Sequence, residues 1–436
     1  MPYLKPKGTF DILPKPVKPE DRWRESTRYQ YLEELLRKTS HDYGFYEIRT
    51  PIFEKSDLFI RSVGEASDII SKEMYSFEDK AGRHMSLRPE GTAPVLRAFL
   101  ENGLPNGGDH KFFYIGPYFR YDRPQKGRFR QFHQYGVEAI GRSDPLQDVE
   151  IIDLNMEIYR RLGLKNLTLM INSVGSSLCR PSFTAALKAY LEPSFSKLSE
   201  ESQMRFKKNP LRILDTKSKG DLEILKGAPS ILDHLDKECL FHFEEVKKWL
   251  TRLKIPFVIN DKLVRGLDYY TKTVFEITSD VLGAQNTIGA GGRYDGLMKA
   301  LGGEDLPSIG FATGIERILH TIDGQGYRGP SLLNPFVLLI GLGDQAENKC
   351  SELLFHLRHS SIPASHLYNT KKLSKALSHA SDFGASYVLI LGDDELSEGT
   401  INVKNLKTRE TLNHPIETIV EYMSERLCLT TDAHTN

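Results

Sequence analysis

The chain has 436 residues, too many for one compact core, so two or three domains are expected. Its 58 Lys+Arg balance 58 Asp+Glu, and a formal net charge of zero leaves any nucleic-acid partner to local patches rather than a global field. Four widely spaced cysteines (Cys179, Cys239, Cys350, Cys428) without a CxxC pair argue against a disulfide framework or a structural zinc site. No apolar run approaches the roughly 18 residues of a membrane span, and residues 1–7 lack the apolar stretch of a signal peptide, so a soluble, cytoplasmic protein of enzyme size with no membrane contact is expected.

Residues 21–41 read as an amphipathic helix with Tyr29, Leu32, Leu35 and Leu36 on one face and Gly44 just past its end. "FYEIRTPIFEKSDLF" reads as strand, with Pro51 demoting it to an edge or interface. Residues 111–141 read as two long strands joined by a polar loop, 122–127, and residues 148–162 as helix. From about 176 to 255 the chain is rich in Lys, Glu and Ser at helical spacing, the mark of a helical insertion. Strand character resumes at 257 and runs to 276. "GAGGRYDGL" reads as a glycine-rich turn before a short helix, and "SIGFATGIERILHTI" as a strand turning into a helix. "DGQGYRGPSLLNP" is a linker and the best domain boundary. Beyond it, "FVLLIGLG" and "YVLILGD" read as buried strands alternating with helical stretches 346–359, 371–383 and 416–427, a small α/β domain with a largely parallel sheet. The final residues read as a frayed tail.

The chemistry concentrates in three places. In the second long strand Arg128, Arg130, Phe132, Gln134 and Glu138 share even parity and hence one face. Such a face is either solvated and laced with charge pairs, or it lines a site for a ligand with phosphates, a planar base and a hydrogen-bonding group. Phe129, Gln131, His133, Tyr135 and Val137 take the other face, and neither reads as plain apolar core. "LVRGLDYYTKTVFE" sets Arg265, Asp268, Tyr269 and Tyr270 in a segment that otherwise reads as strand. "SLRPEGTAPVLRAF" places Arg88, Glu90 and Thr92 at a loop-to-helix junction, with Thr92 read as the cap and Pro94 in the first turn. Glu316 and Arg317 open the last helix of this region, where a plain surface pair is the simplest reading. "GLGDQAE" lacks the third glycine of a dinucleotide loop; GxxxxGKS, GxxxxGKT, HExxH and GxSxG are absent, and "HLRH" (His356, His359) has no third ligand, so no metal-binding set is assigned.

These segments carry a resemblance. "FRYDRPQKGRFRQFHQYGVEAIG" resembles motif 2 of the class II aminoacyl-tRNA synthetases, "GFATGIERIL" their motif 3, and "RTPIFE" their motif 1, the dimer-interface motif. "LVRGLDYY" and "GGRYDGL" resemble the two histidine-specific segments of the histidyl-tRNA synthetases, of subclass IIa; HIGH and KMSKS, marks of class I, do not occur. The resemblance implies an α+β class II core at residues 1–325, with a mostly antiparallel sheet flanked by helices. It also implies a helical insertion at 176–256 and a C-terminal α/β anticodon-binding domain at 332–428.

It further implies a histidine–tRNA ligase forming histidyl-adenylate from L-histidine and ATP, with Mg2+, and passing histidine to tRNA(His), as a homodimer. On this reading Arg120 grips the α-phosphate, Arg128 stands near the γ-phosphate, and Arg317 lies over the adenine with Phe132 beneath. Asp122 stands where many relatives carry glutamate near the adenine amino group. Arg265 bridges substrate carboxylate and α-phosphate; with Arg120 it makes up the catalytic pair. Tyr270 and Glu138 meet the two imidazole nitrogens, Glu90, Thr92 and Gln134 hold the α-ammonium, and Tyr294 closes the pocket beside Tyr269. Strict parity sets Arg265 and Tyr270 on opposite faces, so a bulge near Gly266 is required if both line the site. A pocket that bonds both ring nitrogens discriminates by roughly 10⁴ or more without editing, which leaves the insertion to pack over the acceptor stem of the tRNA. Residues 332–436 hold nine Lys/Arg against thirteen Asp/Glu, a net −4, so anticodon reading must rest on base contacts and a local patch such as Lys371, Lys372 and Lys375. The rival reading is a non-catalytic histidine-binding regulatory paralogue; such proteins usually lose the arginine segment and the C-terminal domain, both present here.

Overall fold

The computed structural model describes residues 3–15, 18–64, 67, 69–104, 107–123, 127–283, 286–326, 336–370 and 372–431, with side chains to 427. The chain folds as two compact units, Met1–Arg328 and Gly329–Asn436.

The first unit begins with a 3-10 turn, Pro19–Arg24, and then α1 (Ser26–Asp42). Extended backbone at Glu25 divides them, so the segment read as one helix is two elements. "FYEIRTPIFEKSDLF" yields β1 (Tyr46–Glu47) and β2 (Phe53–Lys55) on either side of Pro51, and then α2 (Ser56–Val63) rather than more strand. Phe59 and Val63 are buried there at i,i+4, a helical spacing. β3 (Tyr75–Glu78) and β4 (His84–Leu87) complete a three-stranded sheet in the order β2-β4-β3. Next come α3 (Thr92–Glu101), the long hairpin β5 (His110–Phe119) and β6 (Gln131–Ile140), and α4 (Pro145–Arg161). Asp144 caps α4 by accepting from the Leu146 N–H at 2.7 Å, with Pro145 in the first turn.

After β7 (Leu167–Ser173) the chain is helical: α5 (Arg180–Leu191), α6 (Glu200–Lys208), α7 (Lys219–Leu225) and α8 (Lys237–Arg252), with a 3-10 turn at Pro210–Asp215. β8 (Val258–Ile259), β9 (Thr271–Ser279), β10 (Thr287–Arg293), α9 (Leu297–Ala300), β11 (Ser308–Gly314) and α10 (Ile315–Gly324) close the unit. Two expectations fail here. The strand read over 257–276 is interrupted, because residues 260–270 form an irregular loop and turn. The glycines of "GAGGR" lie in β10, not in a turn.

Eight strands form one sheet in the order β1-β5-β6-β11-β10-β9-β7-β8. It is antiparallel except where β1 meets β5 and β8 meets β7. One face is the main core. Tyr135, Val137 and Ala139 of β6 and Phe275 and Ile277 of β9 pack there against Leu32 and Leu36, Ile151 and Ile158, Phe243 and Val246, and Ile318 and Ile322 from four helices. The odd face of β6 is therefore an apolar core face after all, and the even face looks the other way. The helices between β7 and β8 have their own core of Phe183, Leu187, Leu191, Ile213 and Leu214, into which Leu263 and Val274 also project.

The second unit contains β12 (Val337–Gly341), α11 (Asp344–His359), β13 (Ala364–Leu367), α12 (Leu373–Phe383), β14 (Tyr387–Leu391), α13 (Asp393–Glu398), β15 (Thr400–Asn405), β16 (Thr411–Pro415) and α14 (Ile419–Thr431). The sheet runs β13-β12-β14-β15-β16. Its β12–β13 and β12–β14 pairs are parallel, but β14–β15 and β15–β16 are antiparallel, so the sheet is mixed rather than largely parallel. The polar strands "TINVKN" and "TLNHP" account for the difference. Most of the linker, Lys371 and the tail lie outside the described residues. Among the described residues no helix is long and apolar enough to cross a membrane.

Candidate active site

The even face of β6 opens on a cleft of about 500 Å³. Glu90, Thr92, Arg120, Asp122, Arg128, Phe132, Gln134, Arg265, Tyr269, Tyr270, Tyr294 and Arg317 all line it. Glu138, the remaining residue that the resemblance assigns to the site, sits beneath the lining at 1% exposure and bonds to two of its side chains. Arg130 does not line the cleft; it lies over the Tyr121 ring at 3.8 Å and donates from Nε to the Asp122 carbonyl at 3.3 Å.

Glycines make the floor. Gly289 of β10 and Gly310 and Gly314 of β11 line the cleft, and Gly310 pairs with Glu138 across β11–β6. A Cβ at Gly310 would collide with Glu138 Oε2 and the Val137 carbonyl. Glycine there is what lets a carboxylate lie flat against the sheet.

One end of the cleft is built on two buried carboxyls. Glu90 caps α3: its oxygens accept from the Thr92 N–H at 2.7 Å and the Ala93 N–H at 3.0 Å. The cap residue is thus Gly91, with Glu90 supplying the acceptor, rather than Thr92. The Thr92 hydroxyl is freed to donate to Glu138 Oε1 at 2.8 Å. Tyr114 donates to the same oxygen at 3.2 Å, and the Tyr294 hydroxyl donates to Oε2. Burial pushes the Glu138 carboxyl up to about 8, against the pull of these donors. Burial also raises Glu90, with its backbone donors opposing. Burial raises the Tyr269, Tyr270 and Tyr294 phenols, so all three remain hydrogen-bond donors at neutral pH.

The other end is cationic. Arg120 donates from Nε to the Pro89 carbonyl at 2.9 Å and lies over the Phe132 ring at 5.5 Å. Arg128 pairs with Asp122 at 3.2 Å. Arg317 donates from Nη1 to the Thr287 carbonyl at 2.7 Å, and burial together with Arg128 and Arg120 lowers its pKa. Three guanidiniums at this end of the cleft call for an anion, and Phe132 offers a flat apolar surface beside them.

Arg265 joins the two ends from the loop at 260–270. Because that segment is a loop and not a strand, Arg265 and Tyr270 both reach the cleft without the bulge expected at Gly266. Arg265 pairs through Nη1 with Glu276 of β9 at 2.8 Å, while its buried Nε has no hydrogen-bond partner among the described residues. Glu276, which also accepts from the Thr287 hydroxyl, closes "LVRGLDYYTKTVFE" and was not singled out from the sequence. Beside Arg317, Glu316 reads from the sequence as half of a surface pair. It is buried at the cleft wall, accepts from the His133 N–H at 2.9 Å and lies 2.8 Å from His133 Nδ1, fastening α10 to β6. It is no surface pair.

Outside the cleft, Cys179 and Cys239 meet Asp236 with their ligand atoms within 4.8 Å of one another. Nothing in the cysteine spacing signals this. Asp236 is already engaged as the cap of α8, accepting from the Cys239 N–H at 2.8 Å, and by the Ser176 hydroxyl at 2.8 Å. Burial pushes the Cys239 thiol up to about 12, so a helix cap and two packed thiols account for the cluster.

Residues 20–318 match the family model for histidyl-tRNA synthetase, and residues 336–426 match that for an anticodon-binding domain. The chain belongs to the histidyl-tRNA synthetase family. Among its relatives, the histidine–tRNA ligase of Protochlamydia amoebophila (strain UWE25) is 54% identical over 407 residues, 93% of this chain and 96% of that protein. The histidine–tRNA ligase of Geobacillus sp. (strain WCH70) is 47% identical over 98% of this chain and its own full length. The solved apo histidyl-tRNA synthetase of S. aureus superposes with a TM-score of 0.79 at 37% identity, covering 97% of this chain and 99% of its own. The class II architecture read from the motifs is the fold of this synthetase: a large, mostly antiparallel sheet flanked by helices, plus a separate C-terminal α/β unit.

Proposed function

We propose that this synthetase activates L-histidine with ATP, releasing pyrophosphate, and passes histidine from the adenylate to tRNA(His). The observation that carries the reading is one cleft holding three guanidiniums and an aromatic ring at one end, buried hydrogen-bonded carboxyls at the other, and Arg265 between them. Ligase-named relatives of nearly full length support it.

In the first step a carboxylate must approach a phosphate. Arg120 and Arg265, both lining the cleft, offset the repulsion and align the pair. Arg317 and Phe132 hold the adenine, Asp122 borders it, and Arg128 reaches toward the outer phosphates. Glu138 and Tyr270 take the imidazole nitrogens. Glu90, Thr92 and Gln134 take the α-ammonium, with Tyr269 and Tyr294 closing the wall. Mg2+ accompanies the nucleotide. Asp122 and Glu276 are already engaged by Arg128 and by Arg265 and Thr287, so they form no ready-made cage, and the ion would ride on the phosphates of ATP.

Division into a catalytic core at 1–325, an insertion at 176–256 facing the acceptor stem and an anticodon reader at 332–428 completes the proposal. Lys372 and Lys375 start the basic patch in the reader, and the place of work is the cytoplasm. A homodimer through the motif 1 region is supported by β1 at the edge of the large sheet and by the exposed Tyr46, Ile52, Phe53 and Phe77. The test is charging of a tRNA(His) transcript with labelled histidine. Accumulation of histidyl-tRNA, absent with a noncognate transcript, is the expected result; histidine binding without charging would overturn the reading.

A further inference from the structure

We propose that Arg212, in the helical segment between β7 and β8, is a positioning residue that holds the 263–270 loop in its histidine-binding shape. The inference rests on the assignment of that loop to histidine.

Residues 260–270 belong to no strand of the eight-stranded sheet, yet they carry Arg265, Tyr269 and Tyr270. Such a loop must be fastened by something else. Arg212 donates from Nη2 to the Gly266 carbonyl at 2.7 Å and to Asp268 Oδ1 at 3.0 Å, and from Nε to the same oxygen at 3.1 Å. Asn209 adds a bond to that oxygen at 3.0 Å. Backbone and side chain of the loop are thus gripped by one planar guanidinium, a geometry lysine cannot reproduce. The grip has a firm base: Arg212 is 9% exposed, and the next two residues of its 3-10 turn, Ile213 and Leu214, lie in the core of the helical segment. At the far end of the loop a second arginine of that segment, Arg180, donates to the Tyr270 carbonyl. Asp268 also fills the space beside the end of α2, where a Cβ on Gly64 would stand 3.1 Å from its Oδ2.

Arg212 also borders the cleft, but its Nε and Nη2 are engaged by the residues that flank the histidine contacts, so its loss acts by shifting their aim. A displacement near 1 Å costs about a hundredfold. In histidine-dependent ATP–pyrophosphate exchange, Arg212→Met should raise the histidine KM about tenfold to a hundredfold and change the ATP KM less than about threefold. Arg212→Lys should recover only part of the loss. Asp268→Asn should give the same KM split more mildly, which keeps the test open if Arg212→Met does not fold. The double variant should be no worse than the more damaging single change.

Arg265→Ala in the same assay separates the two claims. If it leaves exchange and histidine KM unchanged, the assignment of the loop fails. If it abolishes exchange while Arg212→Met and Asp268→Asn leave histidine KM at the wild-type value, the positioning role alone is overturned. A parallel rise of both KM values with a matching fall in Tm would also overturn it, as a purely structural effect.

Discussion

Replacing Glu138 with glutamine should remove a pH dependence centred near 8. The wild-type carboxyl is 1% exposed and is pushed up to about 8 by burial, from an ordinary 4.5. Ionising it in place therefore costs up to about 5 kcal/mol relative to a solvated carboxylate. Because the folded pKa is raised, the contribution of Glu138 to stability is full below about 4.5 and is lost as the pH climbs through about 8. Glutamine carries no such penalty. Denaturant unfolding at pH 5 and pH 9 should show the variant gaining stability relative to wild type, by at most about 5 kcal/mol across that range. Histidine activation gives the functional counterpart. If the ionised carboxylate accepts from the imidazole N–H, wild-type kcat/KM for histidine rises with pH and levels off near 8, a break the variant lacks. ATP KM serves as the control and should stay flat in both. A break near 8 that persists in Glu138→Gln, together with a stability difference independent of pH, would refute the reasoning.

Two further predictions follow from buried contacts. Asp148 accepts from Arg293 Nε at 3.1 Å and lies 3.0 Å from His242 Nε2; burial pushes its carboxyl up, but Arg293 and His242 hold it well below the usual carboxylate range. Asp148→Asn leaves a buried guanidinium short of its partner and should cost about 3–5 kcal/mol in denaturant unfolding at pH 7. The Asp148 contribution is present above its unfolded pKa and lost as the pH falls below it, so the deficit should shrink toward acid pH; an unchanged midpoint at pH 7 would count against the ion pair. Gly310→Ala drives a methyl into Glu138 Oε2 and the Val137 carbonyl, so histidine-dependent exchange should fall about a hundredfold or more. Near-wild-type exchange in that variant would contradict the glycine floor.

Much of the site was legible because β6 is a regular strand, and parity set Phe132, Gln134 and Glu138 on one face, the face that opens on the cleft. The loop at 260–270 was not legible, since "LVRGLDYY" has strand composition and its shape is set from outside by arginines of a segment that the sequence marks only as helical. Glu316 was missed for a related reason. Beside Arg317 it reads as a surface pair, and only the antiparallel approach of β11 and α10 to β6 brings His133 against it. The mixed sheet of the second unit escaped because β15 and β16 are polar in composition, while the parallel pair β12–β14 announces itself as two apolar runs. Cap chemistry was read one residue off, because Glu90 reaches back to the α3 amides in place of a Thr92 side chain.

The central claim is that this cleft adenylates histidine through Arg265. Amino-acid-dependent ATP–pyrophosphate exchange, run with all twenty amino acids on wild type and Arg265→Ala, tests it most directly. Exchange with histidine alone, reduced about 10²–10³-fold in the variant as for loss of a preorganised donor to developing charge, is the predicted result. No exchange with any amino acid, while histidine still binds in a titration, would contradict the account and leave a histidine-binding regulatory protein as the better description.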